Sequence, residues 1–189
     1  FTGSAGNINS QSILQTFNNQ FMFDLRTDLL KGKKHPGCQN CWSNESQGLT
    51  SNRTYHVSLL KKNLLTEMLS NPTIVSLDIV SENTCNFKCR ICGPESSSLY
   101  SAEQNHFLKI APVATTNWSD CKENIDQLID LLPTLKNIDI YGGEPFLIKK
   151  INIILKEAID KNYAKQIRLH YNTNGSIYPK KLIEYWKHF

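Results

Sequence analysis

The chain has 189 residues, 40% of them hydrophobic and 20% charged, with a formal net charge of +4. That is enough apolar material for a packed core, so disorder is excluded as the main state. No apolar run approaches the roughly 20 residues of a membrane span, and the lysines fall in short pairs (Lys33-Lys34, Lys61-Lys62, Lys149-Lys150, Lys180-Lys181) rather than in the dense basic stripe of a nucleic-acid groove. No secretory leader is visible, although the chain starts at Phe1 and not at Met. A cytoplasmic protein with no membrane or nucleic-acid partner is expected.

In chain order, Ile13, Leu14, Phe17, Phe21, Leu25, Leu29 and Leu30 recur near the helical period, and Gly32 follows as a C-cap. The polar turn from Lys33 to Gly37 leads into Cys38-Gln39-Asn40-Cys41 and Trp42. A second helical pattern, Leu59, Leu60, Leu64, Leu65, Met68 and Leu69, ends before Pro72. Residues 1–72 are therefore expected to form a helical segment bracketing a CxxC loop.

From residue 73 the pattern becomes alternating strand and helix. Residues 73–80 are a β-branched run, the first strand, and a cysteine loop follows it. Residues 97–106 are expected to be helical and 110–116 irregular. Asp120 with Glu123 suggests a capping box opening a helix that carries Ile125, Leu128, Ile129 and Leu132 on one face. Residues 137–141 form a second strand, ending in Gly142-Gly143-Glu144-Pro145. A helix over 147–159 follows, then a third strand over 166–171 ending in Asn172-Thr173-Asn174-Gly175, and a last helix after Pro179. Strands separated by helices indicate βαβ units and a parallel sheet. The fold class expected is α/β. Each polar motif lies just past the C-terminal end of a strand, the edge at which parallel α/β folds bind ligands, so the three should converge on one site.

The six cysteines are Cys38, Cys41, Cys85, Cys89, Cys92 and Cys121. An even number admits disulfides in a secreted protein, but a chain of this size folds on its core without staples, and close-set cysteines favour metal. Cys85, Cys89 and Cys92 are spaced four and three residues apart in one short loop. Three thiolates can hold an iron–sulfur cube and leave one iron open, much as a catalytic zinc keeps an open position. The same spacing also suits a structural zinc site completed by Cys121 or a histidine, or a low-potential electron carrier. Cys121 alone reads as an ordinary half-buried cysteine.

Cys-x3-Cys-x2-Cys directly after a first strand, followed by Gly-Gly-Glu-Pro after the second, resembles the radical S-adenosylmethionine (radical SAM) superfamily over about residues 73–189. Pro36-Gly37-Cys38 to Trp42 upstream, and the run from Cys92 to Ser98, are similar to members carrying a twitch or SPASM-like auxiliary segment. The resemblance implies a partial parallel (β/α) TIM-like barrel with a [4Fe–4S] cluster on Cys85, Cys89 and Cys92 and SAM chelated at the open iron. One-electron cleavage would then give methionine and a 5′-deoxyadenosyl radical that takes hydrogen from a substrate, a peptide or protein by analogy with relatives that carry auxiliary clusters. A flavodoxin- or ferredoxin-like donor would supply the electron. Gly142 and Gly143 would allow close backbone approach, Glu144 would offer its carboxylate to the SAM ammonium, and Asn172, Thr173 and Asn174 would bond its ribose or carboxylate. Ile91 stands where the superfamily often has an aromatic residue near adenine, and would leave an apolar wall without stacking. Cys38 and Cys41 are two ligands toward an auxiliary cluster, too few without upstream residues. A barrel spends roughly 31 residues on each of its units, so residues 73–189 hold fewer than four. The chain is therefore expected to be the first part of a longer core domain.

Overall fold

The computed structural model describes residues 5–59, 71–80, 82–108 and 118–189. They divide into two compact units, Phe1–Thr73 and Ile74–Phe189.

In the first unit the apolar pattern forms two helices, α1 (Ile13–Phe17) and α2 (Gln20–Leu30). The break has a local cause that periodicity does not show. Asn19 caps α2, its side chain accepting from the Met22 N–H at 2.9 Å, and a capping side chain competes with a continuous helical ladder. Gly32 follows α2 at φ +76°, and the Lys33 N–H bonds the Asp28 carbonyl across it, a Schellman closure in the conformation glycine adopts most readily. A 3-10 turn at Pro36–Cys38 leads into helix α3 (Gln39–Ser46), which holds Cys41 in its first turn, and α4 (Asn52–Leu59) follows. The helical pattern expected over 59–69 lies outside the described residues beyond Leu59. Leu14, Phe23 and Leu30 are more than half exposed, so the described part of this unit has no dense apolar core.

The second unit holds a parallel sheet, β1 (Ser76–Val80), β2 (Asn137–Tyr141) and β3 (Arg168–Tyr171), in that spatial order. Leu77 pairs with Ile138, which pairs in turn with Leu169, and Asp78 with Asp139, which pairs with His170, so apolar and polar rows alternate across the strands. Helices α5 (Ser98–Leu108), α6 (Lys122–Leu131), α7 (Ile151–Asp160) and α8 (Lys180–Trp186) complete the unit. The core includes Ile125, Leu128 and Leu131 of α6, Ile138 and Ile140 of β2, and Ile151, Ile154, Leu155 and Ala158 of α7. The opposite, polar row is knitted by hydrogen bonds. Arg168 Nε donates to Asn137 Oδ1 at 2.9 Å, Asn137 bonds Asp139, and His170 Nδ1 lies 3.0 Å from Asp139 Oδ1.

Several boundaries differ from the sequence expectation. β1 starts at Ser76, where its pairing with Asn137 begins, and β3 starts at Arg168, after a 3-10 turn at Ala164–Gln166. Helix α7 starts at Ile151, after a 3-10 turn at Pro145–Leu147. Asp120 does not cap α6. It ends a 3-10 turn, Trp118–Asp120, and the cap is Cys121, whose thiol donates to Glu123 Oε2 at 2.8 Å instead of capping the helix. Residues 110–116, expected to be irregular, lie outside the described residues. The architecture is α/β with a small parallel sheet, and the described residues do not close a barrel.

Candidate functional site

The cysteine loop leaves β1 and is held in place by small polar residues. Asn83, buried, donates from Nδ2 to the Pro94 carbonyl at 2.8 Å, and its own carbonyl accepts from the Ser98 N–H at 2.8 Å. The Ser97 hydroxyl, equally buried, donates to the Phe87 carbonyl at 2.7 Å. Ser98 Oγ lies 3.3 Å from the Cys85 N–H. At the outer rim Lys88 pairs with Glu103 of α5 at 2.7 Å. The start of α5 thus ties both ends of the loop together. Asn83, Ser97 and Ser98 were not singled out as functional positions from the sequence, although the serine run after Gly93-Pro94-Glu95 marks the place.

All three loop cysteines are free thiols. Cys85 and Cys92 are half-buried and Cys89 is exposed. Burial first, then the neighbouring Cys89 and Cys85, pushes the Cys92 thiol above its ordinary value, the behaviour of thiols crowded into one small volume. Among the described residues no three Cys, His, Asp or Glu side chains stand in a ligating arrangement around one point. The donor set still has the right chemistry for an iron–sulfur cluster: three thiols within eight residues, none in a disulfide.

The loop after β2 lies directly against the loop after β1. The Gly143 N–H bonds the Glu82 carbonyl at 3.2 Å and the Glu144 N–H bonds the Thr84 carbonyl at 2.8 Å. A Cβ on Gly143 would stand 2.1 Å from the Thr84 carbonyl oxygen. One on Gly142, at φ +116°, would stand 2.6 Å from that of Glu82. The two glycines do allow close backbone approach, and what approaches is the entry to the cysteine loop.

Glu144 is 0% exposed, and its carboxylate is taken up by hydrogen bonds within the chain. Oε1 accepts from the Phe146 N–H at 3.1 Å and from the Thr173 hydroxyl at 2.8 Å, and Oε2 accepts from the Asn174 N–H at 2.8 Å. A buried carboxylate is retained where donors replace its water, and here they come from the β3 loop. Thr173 is committed too, since its oxygen also accepts from the Gly175 N–H at 3.0 Å. Asn174 Nδ2 donates to Asn86 Oδ1 at 3.1 Å and lies 3.9 Å from Cys85 Sγ. Asn172 is exposed, with no side-chain partner among the described residues. Ile91, beside the cysteines, is 97% exposed. Of the residues expected at a cofactor, the structure brings Glu144, Asn174 and the glycines onto the cysteine loop, bonds Thr173 to Glu144, and leaves Asn172 and Ile91 open.

In the first unit, Cys38 precedes α3 as its cap residue, without a side-chain capping bond, and Cys41 lies in the first turn of that helix. Arg53 stacks over Trp42 at 4.9 Å and donates to Glu45 Oε1 at 3.0 Å. Its guanidinium is held above its ordinary value chiefly by Glu45, with smaller contributions from Cys41 and Cys38.

Residues 79–189 match the radical SAM superfamily, and the chain belongs to it. Among curated proteins, the GTP 3′,8-cyclase of Aliarcobacter butzleri is 30% identical over 96 residues, 51% of this chain and 26% of that protein. The chain thus spans about a quarter of the length of the relative it matches. No solved structure matches it. Superfamily membership implies SAM-dependent radical chemistry and a [4Fe–4S] cluster. The match begins at residue 79 and does not reach Cys38 or Cys41. Among the described residues no helix is long and apolar enough to cross a membrane.

Proposed function

We propose that this chain carries the cluster-binding part of a radical SAM enzyme, with Cys85, Cys89 and Cys92 as the cluster ligands. The observation that carries the reading is the convergence of three loops at one sheet edge: the cysteine loop, Gly142-Gly143 packed on its entry, and the Asn172–Gly175 loop tied to both. A bound cluster with SAM would supply a one-electron cleavage of the sulfonium, giving methionine and a 5′-deoxyadenosyl radical. The residues of this chain position and shield that chemistry. The glycines bring the two loops into register, Glu144 anchors the third, and Asn172 offers an open amide to SAM. Ile91 and the 44%-exposed Phe87 present apolar surface beside the thiols, where an adenine face would be desolvated.

Family membership favours this reading over a structural zinc site or a simple electron carrier. The twitch/SPASM-like reading of residues 1–72 rests on the segment from Pro36 to Trp42 with its Cys38–Cys41 pair, and on the run from Cys92 to Ser98. The peptide substrate expected from that pair draws no support from the one relative described, whose name carries GTP. The test is anaerobic reconstitution with iron and sulfide, reduction with dithionite, and assay of 5′-deoxyadenosine from SAM. Formation that depends on each of the three cysteines supports the proposal. A reconstituted, reduced protein that leaves SAM intact rejects it.

A further inference from the structure

Glu144 anchors the β3 loop. The anchored segment is rigid by its own bonds. Asn174 Oδ1 accepts from the Ser176 N–H at 2.9 Å, and Thr173 Oγ1 from the Gly175 N–H at 3.0 Å. These short-range bonds fix the plane of the Asn174 side chain, leaving Nδ2 toward the cysteine loop, 3.1 Å from Asn86 Oδ1 and 3.9 Å from Cys85 Sγ. Asn86 closes the clamp by donating to Ser176 Oγ at 2.8 Å. A chain of bonds therefore runs from a buried carboxylate to the sulfur of one expected cluster ligand.

We propose that Glu144 is a positioning residue acting through Asn174: it holds the loop so that the Asn174 amide donates to the Cys85 sulfur and raises the reduction potential of the cluster this loop binds. The inference rests on the cluster reading above. Its physical basis is general. Hydrogen bonds to ligating sulfurs stabilise the more electron-rich, reduced state, and such outer partners tune metal sites. At 3.9 Å the contact is a weak N–H···S bond. Its loss should change the one-electron reduction equilibrium by up to about tenfold, which corresponds to about 59 mV.

The experiment is an EPR-monitored redox titration of the anaerobically reconstituted chain, without substrate, for the parent, Asn174→Ala, Glu144→Gln, the double variant and Asn86→Ala. Asn174→Ala should titrate at a more negative potential, Glu144→Gln should move the same way, and the double variant should move no further than Asn174→Ala alone. Asn86→Ala, which removes the clamp but leaves the amide donor, should shift the midpoint less. Asn174 is exposed, so its alanine variant decides the matter even if far-UV circular dichroism shows Glu144→Gln to be misfolded. Equal midpoints for the parent and Asn174→Ala overturn the tuning. An additive double variant overturns the route through Asn174. A parent that takes up no iron overturns the cluster reading itself and this inference with it, an outcome distinct from a loaded protein whose midpoint does not move.

Discussion

Gly143→Ala should be the most damaging single-methyl change at the site. The added Cβ would lie 2.1 Å from the Thr84 carbonyl oxygen, 2.5 Å from its carbon and 2.7 Å from the Asn83 carbonyl carbon. All three are backbone atoms, so no side chain can swing aside, and the loops after β1 and β2 must separate by about 1 Å to restore ordinary contact. Overpacking of this kind costs about 1–3 kcal/mol. The separation also breaks the Glu144 N–H bond to the Thr84 carbonyl, 2.8 Å long, for about 1 kcal/mol more. The expected loss is about 2–4 kcal/mol out of a typical 5–15. Gly175→Ala is the control: its φ is +70° but nothing lies within 4 Å of the added carbon, so only backbone strain of about 1–2 kcal/mol applies. Urea unfolding followed by circular dichroism should rank Gly143→Ala well below Gly175→Ala in midpoint. Equal midpoints, or the reverse order, would refute the argument that loop-to-loop contact is why glycine stands at 143.

Cys85→Ala, Cys89→Ala and Cys92→Ala should each abolish iron retention after reconstitution, whereas Cys121→Ala, Cys38→Ser and Cys41→Ser should leave it at about four per chain, the content of one [4Fe–4S] cluster; colorimetric iron and sulfide analysis reads this directly. Asn172→Ala should weaken SAM binding, by roughly tenfold for one lost hydrogen bond, with the visible spectrum of the cluster unchanged; equilibrium dialysis with SAM measures it. Burial pushes the Tyr171 phenol up to about 12, partly offset by the Trp186 hydrogen bond, against about 10 in an unfolded chain. The unfolded state therefore loses its proton first, so this contribution is intact below about pH 10 and is lost as pH rises to about 12. It is worth at most about 2.7 kcal/mol at 1.36 per pKa unit. Tyr171→Phe should flatten the alkaline fall in stability relative to the parent in denaturant titrations from pH 9 to 12, and parallel curves would contradict it.

The alternation of strand and helix after residue 73 was legible because burial imposes periods of 2 and 3.6 on the chain. Ile138 and Ile140 alternate with Asn137 and Asp139, and α7 places Ile151, Ile154, Leu155 and Ala158 on one face. The cysteine spacing was legible because ligands to one cluster must be close in sequence or be brought together by a fold. What periodicity could not show was decided by local competition or by distant partners. Asn19 splits one apolar pattern into two helices by bonding the Met22 N–H. Val75 is β-branched yet lies before the strand, because the pairing with β2 begins only at Ser76 and Asn137. The role of Glu144 was hidden for the second reason. Its motif suggests a carboxylate beside a ligand, but the donors that bury it are Thr173 and Asn174, up to 30 residues away.

The most direct measurement is the EPR spectrum of the reconstituted, dithionite-reduced protein before and after adding SAM, with iron counted on the same sample. The account predicts about four irons per chain and a spectrum that changes when SAM is added, because SAM meets an iron that no protein ligand occupies. Bound zinc in place of iron, or a four-iron signal indifferent to SAM, would contradict the assignment of Cys85, Cys89 and Cys92 as the three ligands of an open cluster.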